Sequence, residues 1–452
     1  MKNGPDPMRG FSPDIFAARR KRVLADLDGS ALVLCSDPDA SGGRHRPDRD
    51  LFYLTGVTEP GAVAVLRPGG EDGDFVLFVR VRSPEEERWS GERFGPERAQ
   101  EIFGADTTYG NDLLSEHLPK LLAEAEGMYF RIGAESPLQS LVMEALQAAR
   151  LRGARKGVGP YGIIDPGRLL DPQRLTKHPD ELERMRWAAS VTVEAFTEML
   201  GAVRPGAGEW ELEGILDGAF RRKGAGGPAY PTIVGSGANA CVLHYVENNR
   251  SLCDGDLVLV DAGAETDLYV CDVTRTFPVS GSFTAPQRVI YDLVLEAHDR
   301  AIEGIHPGVT VESIHHTARD VFIDGLLDLG VLAGSKADVI DTEAYKQFFP
   351  HQTSHWLGLD VHDVGDYAHA GVSRVLERGM VLSVEPGLYF QDPLEGLGVS
   401  DEVEGSAVMD DYVGIGIRIE DVVVVTAEGH EVLTAALPVS PDELGGLVGG
   451  QG

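Results

Sequence analysis

Four carboxylates stand where apolar strands would bury them, and acids in such places need a cation or a shared proton. Asp261 ends the run LVLVD at 257–261, which has no polar face and reads as a strand covered on both sides. The stretch Gly255–Gly281 holds two apolar runs joined by a short polar segment, the pattern of a β-hairpin. A turn centred on Thr266 and Asp267 sets Asp261 opposite Asp272. Opposed residues have Cβ atoms roughly 4.5–5.5 Å apart, where like charges destabilise the pair. Residues 379–387 (GMVLSVEPG) echo 255–263 (GDLVLVDAG), with Glu385 in the place of Asp261. Glu420 stands nine residues before Gly429, as Asp272 stands nine before Gly281. The four acids thus fall at matching points of an internal duplication whose halves face one another.

A fifth candidate is His355, in the apolar segment TSHWLGLDVHDVG (353–365) ahead of the Glu385 strand. His315 and His316 fall on a helix face and read as surface residues. An oxygen-rich set with one imidazole suits Mn, Co, Fe or Zn better than a structural zinc, which prefers thiolates. Four acids carry a charge of about −4, which two divalent ions offset and one does not. Two ions roughly 3.5–4 Å apart can share a hydroxide and polarise a carbonyl, so two-metal hydrolysis is the chemistry that follows. In GIGIRIEDVVVVT (414–426) side chains alternate, which puts Arg418 on the face of Glu420. An arginine there orients a metal-binding carboxylate, although a salt bridge at a sheet edge fits the same pattern.

The elements that position these groups follow from the chain in order. Ser12 and Pro13 open a helix that runs to about Leu27. Segments 31–35, 51–56, 62–66 and 74–81 read as strands, followed by helical stretches at 96–103 and 111–125. Short strands near 106–109 and 128–132 complete an α/β domain with a mixed sheet over residues 12–172. Within it, 88–95 (RWSGERFG) reads as an exposed loop, whose Trp89 could reach a pocket rim or a neighbouring subunit. Gly, Pro and Arg around 152–176 mark the boundary, and a second domain spans 178–437. Helix pairs at 180–200 and 209–223, then 286–304 and 311–329, each precede one carboxylate half-motif. That is a repeated α–α–β–β unit with its site between the halves. From Pro438 onward the Gly-rich tail reads as unstructured.

Composition bounds the partners. The 452 residues carry 72 acids against 40 bases, a formal charge of −32, which argues against nucleic acid or an anionic membrane surface. Cys35, Cys241, Cys253 and Cys271 form no CxxC and read as free thiols of a reducing compartment. With no apolar run near ~18 residues and no signal-like N-terminus, the expected address is the cytoplasm.

Taken together, DAGAE…D, SHWLGLDVHD, VEPGLY and GIGIRIED resemble the metal-binding blocks of the M24 metallopeptidases, whose catalytic domain is the pita-bread fold. AYPTIVGSGANACVLHY (229–245) and the W-x-G-x-R-x-G segment (89–95) are similar to the bacterial aminopeptidase P branch of that family. The resemblance runs from about 12 to 437. It implies an N-terminal α/β domain that serves oligomerisation and forms a cleft wall, ahead of a pita-bread domain with pseudo-twofold duplication. It also implies two divalent ions, most often manganese, and removal of an N-terminal residue that precedes proline. Carried over, Asp261 binds one metal, Asp272 and Glu420 bridge both, and His355 and Glu385 complete the other, with Glu385 also moving protons. His362 bonds the scissile carbonyl, His244 lies near the scissile nitrogen and the proline ring, and Tyr230, His351, Arg418 and Trp89 line or orient the site. A homodimer or homotetramer is implied. A prolidase, cutting only Xaa-Pro dipeptides, shares all five ligands; a non-catalytic binding protein on this fold would have lost some. The acidic, loop-like segment 391–413 departs from the compact bacterial enzymes and is expected to alter access to the cleft or subunit contacts.

Overall fold

The computed structural model describes residues 8–38, 45–133, 137–391 and 411–450. Most of the acidic segment, residues 392–410, lies outside them. The chain forms two compact units, Met1–Arg174 and Leu175–Gly452.

The first unit is built on a six-stranded mixed sheet. Its centre is antiparallel, Ala31–Cys35 beside Val63–Leu66 beside Phe75–Val79, and its flanks, Thr107–Gly110, Met128–Tyr129 and Ile163–Ile164, pair in parallel. Helix Pro13–Asp26 starts as its capping signal dictates, the Ser12 hydroxyl accepting from the Asp14 N–H. The stretch 51–56, expected as a strand, is instead the helix Arg49–Thr55. Asp48 caps it, its Oδ1 accepting from the Leu51 N–H at 2.7 Å, and Gly56 ends it at φ 75°. A run buried all round carries no period, so the cap decides between the two structures. Two further helices, Pro137–Gly153 and Gly167–Leu175, were not expected. Trp89 is not on a loop but on the helix Pro84–Ser90, where it stands 87% exposed.

The second unit repeats its helix pairs, Pro179–Ala202 with Glu209–Arg222 and Ala285–Glu303 with Val311–Asp328. Each pair precedes a three-stranded antiparallel sheet. The first hairpin turns one residue later than the sequence suggested. Asp267 and Leu268, at φ 48° and 74°, form its tip, so Asp261 pairs with Thr274 and not with Asp272. Asp272 lies level with Gly263, where a Cβ would run into the Cys271 carbonyl oxygen, so only glycine lets the strands approach. In the second hairpin Val384 pairs with Asp421 and Gly387 with Arg418, which puts Glu385 level with Glu420. The duplication therefore holds in the helix pairs and the acid-bearing hairpins, while the third strand lies beside Leu257–Asp261 in one half and beside Asp421–Val425 in the other, and the acids differ in register.

The halves are joined where the acids are. The Glu420 N–H donates to the Thr274 carbonyl at 3.0 Å, and Thr276 Oγ1 donates to the Arg418 carbonyl at 3.0 Å. Arg275, fully buried, donates to the Thr274 and Glu420 carbonyls and to Asp421 Oδ1 at 2.8 Å. The tail expected to lack structure contains the helix Pro441–Leu447, with Leu444 buried. Ser440, Pro441 and two acids in the first turn are its start signal, masked in the sequence by the glycines that follow. Among the described residues no helix is long and apolar enough to cross a membrane.

Candidate active site

Asp261 closes the strand Leu257–Asp261, Asp272 precedes Thr274–Pro278, Glu385 follows Val381–Val384, and Glu420 sits between Gly416–Arg418 and Asp421–Val425. All four reach one cavity of about 510 Å³ in the second unit. His355 is brought there by backbone pairing: its carbonyl accepts from the Ser383 N–H at 2.9 Å, and its N–H donates to Ser383 Oγ at 3.0 Å. Ser383 Oγ also donates to Glu385 Oε1 at 3.3 Å, so one small side chain fixes the spacing of His355 and Glu385.

His355 Nε2 lies 3.4 Å from both Asp272 Oδ2 and Glu385 Oε1. Asp272, His355 and Glu420 each offer one donor atom, all within 4.8 Å of one another. Asp261 pairs with the Arg418 guanidinium and accepts from the Tyr230 hydroxyl at 2.6 Å; that hydroxyl also contacts Asp272. Glu420 Oε2 accepts from Thr274 Oγ1 at 2.8 Å, while its Oε1 is buried with no partner among the described residues.

The electrostatics follow from burying so many like charges. Burial, with Asp272, Glu385 and Asp261 nearby, pushes the Glu420 carboxyl far above the usual carboxylate range. Glu385 is raised to about 7, chiefly by burial, against the opposing pull of His355 and Arg418. Asp261 is raised by burial and partly relieved by Arg418. Burial works against a charged His355, yet its bond to Asp272 and the charges of Glu385 and Asp272 carry it up to about 9. Two hairpins that hold acids this way, with one carboxylate oxygen unpartnered and one imidazole alongside, fit a divalent cation.

His244, His351 and His362 line the same cavity with Tyr230, Leu243 and Val361. The His362 ring meets that of His355 edge-on at 4.5 Å, and burial and the charge of His355 hold it below its ordinary value. His351 is pushed down to about 3 by burial and by Arg418, so it is a neutral ring. Its Nε2 lies 3.0 Å from the Tyr389 hydroxyl, which accepts from Arg418 Nη1 at 2.9 Å. Sequence reasoning gave no role to Tyr389, Thr274 or Ser383. The alternation that joined Arg418 to Glu420 also puts Tyr389 on the face of Glu385, so that signal was available. The two hydroxyls carry none. Trp89 is not among the residues lining the cavity. His315, expected at the surface, is half-buried, with Nδ1 3.0 Å from Thr353 Oγ1, and burial pushes it down to about 4.

Fold and site together define a metal-dependent hydrolase. Residues 183–427 match metallopeptidase family M24, and residues 16–129 match the aminopeptidase P N-terminal domain. The Xaa-Pro aminopeptidase of Escherichia coli (strain K12) is 39% identical over 449 residues, covering 98% of this chain and 99% of that protein. The structure of Pseudomonas aeruginosa aminopeptidase PepP superposes with a TM-score of 0.89 at 40% identity, covering 97% of this chain and 98% of that one. Zinc-substituted E. coli aminopeptidase P in complex with product gives 0.87 at 39% identity, covering 97% of this chain and 98% of its own. The chain belongs to metallopeptidase family M24.

Proposed function

We propose that the protein removes the N-terminal residue from peptides whose second residue is proline, using two divalent ions, manganese for preference. The observation that carries this reading is one cavity with a carboxylate-rich end and an aromatic wall, on a fold shared with Xaa-Pro aminopeptidases. Asp261, Asp272, His355, Glu385 and Glu420 are the residues to hold the ions, and Glu420 Oε1 has room for one more bond. Divalent ions in such a site supply an activated water at neutral pH and a Lewis acid for the scissile carbonyl.

The protein's own side chains do the rest. Glu385 is the residue placed to take a proton and return it to the leaving nitrogen. His362, kept neutral, donates an N–H to the carbonyl oxygen as charge develops there. Arg418 fixes Asp261 and, through Tyr389, the ring of His351. An Xaa-Pro bond lacks an N–H, so strand-like pairing cannot select it. The free amine is read at the Asp261 end, and the flat proline ring packs against Tyr230, His244 and the neutral His351. Trp89, exposed on its helix, is offered as a rim residue contributed to another subunit of a homo-oligomer. The free thiols of Cys35, Cys241, Cys253 and Cys271 suit a reducing cytoplasm.

The test is kcat/KM on Arg-Pro-Pro, its N-acetylated form and Arg-Ala-Ala, together with elemental analysis. Only the first peptide is expected to be cut, after its first residue, by protein holding two ions per chain. Comparable rates on all three refute the amine anchor and the proline wall together. Activity confined to Xaa-Pro dipeptides makes the protein a prolidase.

A further inference from the structure

The geometry points to Lys177, remote in sequence from every site residue, as the positioning residue for His362. The inference rests on the reading of His362 as donor to the scissile carbonyl. Among the described residues the His362 imidazole has no hydrogen bond of its own, only its edge-on contact with His355. The residue keeps much of its surface open to the cavity and is only partly desolvated, so packing holds the ring on one side alone, against His355. Its place is therefore set by its backbone, in a loop from Trp356 to Tyr367.

That loop is fastened at the residue next to His362. Asp363 Oδ2 lies 3.1 Å from Lys177 Nζ, and both side chains are only 1% exposed. Lys177 Nζ also donates to the Leu175 carbonyl at 3.4 Å, and its backbone N–H to the Gly379 carbonyl at 2.8 Å. The ammonium is thus anchored in the body of the second unit and not in the loop itself. The loop is shaped to reach it. The Asp363 N–H donates to the Trp356 carbonyl at 2.9 Å, and the Trp356 N–H to the Tyr367 hydroxyl at 2.8 Å. The Gly358 carbonyl accepts from the Val270 N–H at 3.0 Å. A Cβ at Gly358 would run into Asp363 Oδ2 and come within 2.9 Å of Lys177 Cε, so glycine there leaves the space the pair needs.

A buried ion pair with this geometry is costly to form and restrictive once formed, which suits a positioning role better than a stabilising one. Without it Asp363 has no buried ammonium to meet, the loop relaxes, and His362 drifts from the carbonyl. Misplacement of a donor by about 1 Å costs up to about 10²-fold in rate. Lys177 touches no substrate atom in this scheme and acts only through His362.

The experiment is a double-mutant cycle on the metal-loaded full chain with an Xaa-Pro-Yaa peptide. Lys177→Met and Asp363→Asn are each expected to lower kcat by about tenfold to 10²-fold, with KM and bound metal per chain unchanged. His362→Ala alone is expected to lower kcat by about 10²–10³-fold. Adding either loop substitution to His362→Ala is expected to change nothing more, because the group being positioned is gone. Unchanged kcat in both single variants overturns the proposal. So does a loss that persists in the His362→Ala background, or one that tracks lost metal. If Lys177→Met does not fold, Asp363→Asn, which keeps the shape and an acceptor, decides by the same readouts. Full kcat in His362→Ala overturns instead the role given to His362, and the two failures are told apart by that variant alone.

Discussion

Asp272→Asn is expected to leave a folded protein that holds less metal and shows no measurable turnover. Asp272 is the acid on which the cluster converges: His355 Nε2 lies 3.4 Å from its Oδ2, and the Tyr230 hydroxyl contacts its Oδ1. It also shares the group of donors within 4.8 Å that includes Glu420. An amide keeps the shape but removes the charge and offers a single carbonyl oxygen, so affinity for a divalent ion falls. The fold survives because, among the described residues, Asp272 pairs with no basic residue other than His355, and removing one like charge relieves Glu420 and Asp261. Metal per chain is read by elemental analysis, turnover on an Xaa-Pro-Yaa peptide, and folding by melting in the presence of a chelator. Wild-type turnover at wild-type metal content would exclude Asp272 from the site. Collapse of the fold in chelator would make it a structural residue.

The site was more legible than the register that builds it. Charge on an otherwise apolar strand is visible in a string of letters, because burying an acid is expensive whatever the fold. Asp261, Asp272, Glu385 and Glu420 stood out for that reason, and the structure brings all four to one cavity with His355. Their exact pairing was not visible. Moving the hairpin tip by one residue, to Asp267 and Leu268, changes the partner of Asp261, and nothing in the run marks which pair takes positive φ. The helix Arg49–Thr55 was misread for a related reason, since a fully buried segment carries no period and only the Asp48 cap decides. Long amphipathic helices with Pro or Thr at their starts, such as Ala285–Glu303 after Thr284, were placed almost to the residue. Among side chains that act through others, Tyr389 was marked only by strand alternation, while Ser383 and Lys177 carried no signal of their own. Their importance lies in what they touch, and that needs coordinates.

Chelated protein is expected to lose stability steadily as pH rises from about 5 to 9, and metal-loaded protein to lose less, since Asp48 and Asp171 outside the site are raised by burial in both. A group whose folded pKa lies above its unfolded value gives stability that is complete below the unfolded value and disappears as pH passes the folded one. Glu385 moves from 4.5 to about 7, so its contribution fades across that interval. That loss is shared with the acids that titrate together with Glu385. Glu420 is pushed the same way by burial and by the other acids, and goes on losing stability at higher pH. His355, raised from 6.5 to about 9, extends the loss into the alkaline range. Asp421 has the opposite sign: burial opposes its charge, but Arg275 and His298 hold it far below the carboxylate range. Its contribution is complete above the ordinary carboxylate value and disappears only in acid, so it does not mask the trend. Divalent ions neutralise the same carboxylates without protons, so their stabilisation grows as the protons leave. Melting temperatures measured with chelator and with manganese across this range should diverge as pH rises. A chelated protein whose melting temperature holds constant or climbs over the interval would show that these acids do not depend on a cation for their charge balance, and the metal assignment would fall with it.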